Sequence, residues 1–199
     1  MLKTTMLPTD LKDKRIILAS GSPRRQRFFE EMGFEFEVRL KSVDEIYPGG
    51  LKGSEISDYL AKLKAAPFKE DLKPNEILIT SDTVVWHKNR SLAKPTDEEE
   101  AFEMLQTLSD DWHEVITSVC ITTTTDQKIF NSTTRVKFAS LDDMQIRYYI
   151  KNHKPFDKAG GYGIQEWIGL VAIEEIQGSY ANVVGLPTQL VYQKLMEIV

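Results

Sequence analysis

Two adjacent arginines, Arg24 and Arg25, follow Ser20-Gly21-Ser22-Pro23 in the run LASGSPRRQRFFEEMG. Ser22 reads as a helix cap, Pro23 as the first helical position and Gly33 as the end of that helix. The N-terminal end of a helix is already electropositive, and its first N–H groups have no internal partner. Two more cations there are unfavourable unless an anion is expected. A phosphate held by backbone N–H groups, a serine hydroxyl and the guanidinium forks would remove the conflict. An exposed basic helix start is the reading that the residue types leave equally open.

A second polar cluster interrupts the apolar run EILITSDTVVWH, where Asp82 and Thr83 fall late in a strand. A carboxylate in that setting must be solvated in a cleft, paired, or bound to a metal. Lys94, in SLAKPT, lies beyond the intervening turn, and a β-ribbon return could bring its ammonium to the same place. A structural Asp–Lys ion pair is the competing reading. The third cluster is DKAGGYGIQE, where Gly160, Gly161 and Gly163 allow close backbone approach to a ligand. Gln165 offers both a donor and an acceptor to a base edge. A plain surface loop explains the glycines equally well.

Other chemistries are poorly supported. No G-x-x-x-x-G-K-[ST] or G-x-S-x-G element occurs, and Glu166 breaks the G-x-G-x-x-G pattern. His87, His113 and His153 show no metal-ligand spacing. Cys120 is the single cysteine, which excludes an intrachain disulfide and reads as a buried small residue. The formal net charge of −5 argues against a nucleic-acid polymer as partner. No apolar run is long enough to span a membrane, and the N-terminal residues lack a signal-peptide core, so a cytoplasmic protein is expected.

The elements that must position these clusters are legible in outline. The 199 residues, 41% hydrophobic and 28% charged, suffice for a real core. Strands are expected over 15–20, 34–38, 76–87, 112–125 and 128–139, the last two forming a hairpin at Asp126–Gln127, and within LVAIEEIQG. Helices are expected from Pro23, from Ser54, after a Thr96–Glu99 capping box, over LDDMQIRYYIKN and from near Pro187. Interspersed strands and helices with a hairpin imply a mixed sheet covered by helices.

Taken together, LASGSPRRQ, KAA (64–66), SDTVV, AKPTD, DKAGGYGIQ and GSYANVVGLP resemble, in this order, the Maf family of nucleoside triphosphate pyrophosphatases, also called septum-formation inhibitor proteins. The resemblance implies an α/β fold with an elongated mixed sheet flanked by helices, two lobes around a central cleft, and an inosine triphosphatase-like architecture. It implies one Maf-like domain over 1–199, with residues 1–13 as an N-terminal extension. The implied reaction converts a nucleoside triphosphate to the monophosphate and pyrophosphate with a divalent cation, Mg or Mn. By position, Ser20, Arg24, Arg25, Lys64 and Lys94 match phosphate-binding residues. Glu45 and Asp82 match the acidic residues near the metal, with Asp82 as proton acceptor.

Arg24, Thr83 and Gln165 match positions associated with base selection, and the GYGIQ form looks like the dTTP/UTP branch. The chain departs from the family pattern at Glu166–Trp167, where glycine-rich sequence is expected. A homodimer, a role in clearing modified nucleotides and a link to cell-division arrest are further implications. The alternatives are the branch acting on 7-methyl-GTP and a non-catalytic nucleotide-binding regulator of septum formation.

Overall fold

The computed structural model describes residue 11 and residues 13–198. The expected extension over 1–13 therefore lies, apart from residues 11 and 13, outside the described residues. Among the described residues, seven strands form one mixed sheet: β1 (Arg15–Leu18), β2 (Phe36–Val38), β3 (Glu76–His87), β4 (Arg90–Leu92), β5 (Trp112–Thr122), β6 (Gln127–Phe138) and β7 (Ile173–Gln177). Their order is β2-β1-β3-β5-β6-β7, with β4 beside β3. Strand β1 is parallel to β2 and β3, and all other pairings are antiparallel. Strands β3, β5 and β6 are the long ones, at 12, 11 and 12 residues.

Among the described residues, seven α-helices cover the sheet: α1 (Pro23–Glu31), α2 (Ser54–Ala65), α3 (Glu98–Leu108), α4 (Asp143–His153), α5 (Trp167–Val171), α6 (Tyr180–Val184) and α7 (Thr188–Met196). Side chains alternate across a strand, so β3 sends Leu78, Thr80, Asp82 and Val84 to one face and Ile77, Ile79, Ser81, Thr83 and Val85 to the other. The first face lies under α2, where Ala61 and Ala65 pack with Ile17, Leu78 and Cys120, and Ile56 and Leu60 with Val84. Cys120 is buried, as its apolar setting predicts.

The second face carries two separate apolar clusters. Ile77, Ile79, Val119 and Ile121 pack with Phe29 of α1 and with Val191 and Leu195 of α7. Val85, Val115, Val136 and Phe138 pack with α3 and α4 through Leu105, Leu108, Ile146 and Tyr149. Ser81, Thr83 and Thr117 fall between the clusters. The polar interruption seen in β3 is thus matched by one in β5, and the two lobes meet along it.

Local chemistry shifts several expected boundaries. The cap of α3 is Asp97, one residue later than expected, with Asp97 Oδ1 accepting from Glu100 N at 2.9 Å. Glu100 Oε2 returns to the Thr96 N–H at 2.7 Å and its hydroxyl at 2.8 Å. At α4 a full capping box joins Asp142 and Gln145. Leu170 and Val171, expected to open the strand LVAIEEIQG, instead end α5, which a Gly169 N–H to Glu166 carbonyl bond of 2.9 Å starts. The short α6 has no counterpart among the sequence expectations; Ser179 Oγ caps it by accepting from Asn182 N.

The glycine loop is seated against β3 by backbone fit. Gly160 has φ of 70°, and a Cβ there would lie 3.0 Å from both methyl groups of Val85. Its N–H donates to the Ala93 carbonyl at 3.0 Å, tying the loop to the segment that carries Lys94. Gly160→Ala combines left-handed strain with overpacking, each costing about 1 kcal/mol or more, so a loss of about 2–3 kcal/mol is expected. The urea midpoint at unchanged m-value is the measurement that checks it.

Candidate active site

The site begins as a gap in strand pairing. Strand β5 runs along one edge of β3 from Leu78 to Trp86. On the other edge β1 pairs only as far as Ile79, and β4 begins only at Val85. Backbone groups of the intervening residues must find partners elsewhere. Arg25 supplies one: its Nη1 donates to the Ser81 carbonyl at 2.9 Å, while its Nε donates to the Gly185 carbonyl at 2.8 Å and its Nη2 to Thr83 Oγ1 at 3.0 Å. Burial pulls this guanidinium below its ordinary pKa, while the charge of Asp82 opposes the shift.

Thr83 is committed in turn. Its Oγ1 lies 3.0 Å from Thr117 Oγ1, which donates to the Asn182 carbonyl at 3.1 Å. Arg25, Thr83, Thr117 and Asn182 therefore form one donor chain across the seam between the lobes. Three of the five N–H donors of Arg25 are spent on protein, leaving two for a ligand.

Asp82 points to the α2 face. Its Oδ1 accepts from Lys64 Nζ at 2.7 Å, and Glu45 Oε1 lies 3.2 Å from the same ammonium. Asp82 is buried, and Lys64 stands in the last turn of α2, which a Thr80 hydroxyl bond to the Ala61 carbonyl (2.6 Å) clamps to β3. The Asp82–Lys94 pair weighed from sequence does not form: Lys64 is the partner. Lys94 is exposed at the rim of the cleft and makes no ion pair among the described residues.

Two adjoining recesses open here. One has an apolar wall of Val85, Val115, Val183 and Val184 facing Thr83, Tyr162, Gln165 and charged side chains. The other is lined by Ser20, Gly21, Lys41, Ser42 and Glu45. Arg24, Arg25, Lys64 and Lys94 border both. Ser20 is buried, and its Oγ accepts from the Ser22 N–H at 3.3 Å; Ser22 itself makes no side-chain cap. Four cations at the junction of the two recesses, one of which carries an apolar wall, suit a flat ring joined to a chain of anions.

Arg24 reaches across the cleft to Asp157 Oδ2 at 3.1 Å. Partial burial raises the pKa of Asp157, but hydrogen bonds from Lys158 and Arg24 lower it by more. Gln165 is exposed at the first recess, and its side chain has no hydrogen-bond partner among the described residues. All nine expected site residues, Ser20, Arg24, Arg25, Glu45, Lys64, Asp82, Thr83, Lys94 and Gln165, border these two recesses.

Sequence reasoning missed Lys158, Tyr149, Thr117 and Asn182. Thr117 carried a readable signal, a polar pair within VITSVC; the others depend on tertiary placement. His113 is no catalytic base: burial pulls its pKa down to about 3, and its Nε2 is bonded to Tyr162 OH at 2.7 Å. Among the described residues no group of three or more His, Cys, Asp or Glu side chains converges as a metal cage. Among them, too, no helix is long and apolar enough to cross a membrane.

The profile described as Maf-like protein matches residues 15–198. A dTTP/UTP pyrophosphatase of Flavobacterium johnsoniae is 55% identical over 194 residues, covering 98% of this chain and 100% of that protein. One from Flavobacterium psychrophilum is 58% identical over 191 residues, covering 96% and 98%. One from Bacteroides fragilis is 48% identical over 185 residues, covering 92% and 96%. Among solved structures, the Staphylococcus aureus Ham1 protein is similar at a TM-score of 0.43 and 17% identity, covering 63% of this chain and 72% of that one.

Proposed function

The chain belongs to the Maf-like protein family, and on that premise we propose that it hydrolyses dTTP and UTP to the monophosphate and pyrophosphate, as one Maf-like domain. The observation that carries the reading is the placement of one buried carboxylate, Asp82, among four cations at the junction of the two recesses. A plain nucleotide-binding regulator would need the cations but no carboxylate facing a polyanion.

In this reading the triphosphate lies along the polar recess, with its charge met by Arg24, Lys64, Lys94 and the two free N–H groups of Arg25. The Ser20 hydroxyl adds a neutral contact. Asp82 accepts a proton from a water that attacks the α-phosphorus. The bond from that phosphorus to the bridging oxygen breaks, and pyrophosphate leaves with its charge held by the same cations. Lys64 occupies Asp82 Oδ1, which leaves Oδ2 as the oxygen to take the proton.

Glu45 and Asp82 fit a divalent cation such as Mg or Mn. Both carboxylates already converge on a single positive group, the Lys64 ammonium, and hard cations use one or two carboxylates together with phosphate oxygens and water. When bound, that cation would supply further neutralisation of the triphosphate.

The base belongs against the apolar wall of the first recess, beside Gln165. A carboxamide can donate to a pyrimidine carbonyl and accept from N3–H, and the unprotonated N3 and amino group of cytosine upset that pairing. Thr83, matched with Arg24 and Gln165 to base selection, has its O–H and one lone pair engaged by Thr117 and Arg25. It therefore offers the base an acceptor only, and Gln165 supplies the paired donor and acceptor. UTP and dTTP are expected to be cleaved well, with CTP and 7-methyl-GTP poor. Gln165→Glu should lower the UTP-to-CTP ratio of kcat/KM roughly tenfold, the size of one lost hydrogen bond. Pyrophosphate release from the four nucleotides under one metal condition is the test. A preference for 7-methyl-GTP overturns the base assignment, and release from none overturns the enzyme.

A further inference from the structure

Glu166, the departure from the family pattern, is turned inward rather than out over the rim. Both of its oxygens are engaged: Oε1 lies 3.1 Å from Lys158 Nζ, and Oε2 accepts from the Tyr149 hydroxyl. Tyr149 is fully buried on α4, and burial together with Glu166 pushes its pKa up, so the hydroxyl keeps its proton. The same hydroxyl oxygen accepts from the Gly163 N–H at 2.9 Å. Lys158, buried, also donates to Asp157 Oδ1 at 2.6 Å, and Asp157 holds Arg24. A continuous chain therefore runs from Gly163 through Tyr149, Glu166, Lys158 and Asp157 to Arg24.

Gln165 lies inside this frame. The Glu166 N–H donates to the Gly163 carbonyl at 2.9 Å, closing a turn over 163–166 in which Gln165 is the third residue. Both ends of the turn are tied to one buried hydroxyl, Gly163 through its N–H and Glu166 through its carboxylate. A Cβ on Gly163 would lie 2.7 Å from Gln165 Nε2 and 3.0 Å from both Glu166 Cδ and Lys158 Cε, so three side chains close directly over that glycine. Gln165 makes no hydrogen bond of its own among the described residues. Its aim is set by the turn.

We propose that Glu166 is a positioning residue: with Tyr149 and Lys158 it fixes the turn that presents Gln165 to the base and joins that turn to Arg24. This rests on the reading of Gln165 as the base-selecting residue. Glu166→Gln keeps the shape and an acceptor for Tyr149 but removes the ion pair with Lys158. Tyr149→Phe keeps the ring and removes the link to Gly163, and serves if the first variant folds poorly.

In either variant the UTP-to-CTP ratio of kcat/KM should fall about tenfold through a higher KM for UTP, with kcat within about threefold of wild type. On a Gln165→Ala background the same changes should leave that ratio unmoved, because the residue they aim is gone. Equal losses for both nucleotides, an unchanged ratio, or the same effect on the Gln165→Ala background would overturn the proposal. Hydrogen exchange of the 159–166 segment without nucleotide tests the turn independently of base preference. Exchange about tenfold faster in both variants is expected, and unchanged exchange overturns the positioning role. A wild type indifferent to UTP and CTP would instead remove the base reading, leaving the exchange result to decide whether Glu166 holds the turn.

Discussion

Replacing Asp82 with Asn is expected to lower kcat for pyrophosphate release by roughly 10²–10⁴-fold, the usual range for a lost general base. The substitution conserves volume and leaves an oxygen for the Lys64 ammonium, which keeps its second carboxylate at Glu45. Folding should therefore suffer less than the 3–5 kcal/mol typical of stripping one partner from an isolated buried pair. Nucleotide binding should persist or tighten, since a negative charge facing the triphosphate is gone. Single-turnover kinetics with UTP, beside the affinity for a non-hydrolysable analogue, separates the two effects. Near-normal turnover at saturating metal would show that the proton goes elsewhere.

The placement of Asp82 also explains how much of the site could be read from residues alone. A carboxylate inside an apolar strand advertises itself, because burial without a partner is costly. The identity of the partner does not. Lys94 is nearer in sequence across a short turn, whereas Lys64 comes from α2, whose docking depends on Ala61 and Ala65 packing against Leu78 and Cys120. Tertiary packing made that choice. The same holds for Tyr149, which reads as an ordinary apolar-face residue of α4 and shows its polar role only when Gly163 and Glu166 arrive at its hydroxyl.

Fold elements were legible where one face repeats. Strand β3 is found over Glu76–His87, as its apolar run predicts, because both faces of that strand are covered. Boundaries moved where a side chain competed for the first turn: Asp97 displaced Thr96 as the cap of α3. The expected strand over LVAIEEIQG lost its first residues to α5, since the turn at Gly163–Glu166 already starts a helical path. Hydrophobic residues there suited either state, and a non-local bond to Tyr149 decided between them.

Arg25 tests how far the phosphate reading of the arginine pair extends. Sequence places both Arg24 and Arg25 among the phosphate-binding residues, but Arg25 donates to the unpaired edge of β3 at Ser81 while Arg24 pairs with Asp157 near solvent. If Arg25 served only as a charge for phosphate, Arg25→Lys would be mild. A lysine ammonium on a flexible stem cannot reproduce a planar fork that reaches Ser81, Gly185 and Thr83 together. At least two part-buried acceptors would lose their donor, at about 1–3 kcal/mol each before water enters the cleft to compensate. Arg25→Lys should thus lower stability by about 2–3 kcal/mol and kcat/KM by roughly a hundredfold, because Asp82 and Thr83 flank the loosened edge. Arg24→Lys, keeping its charge in an exposed pair, should cost about 1 kcal/mol or less in stability. The comparison of urea midpoints and kcat/KM for the two variants checks the division of labour. Equal, small stability losses in both would mean that the edge of β3 is held without Arg25.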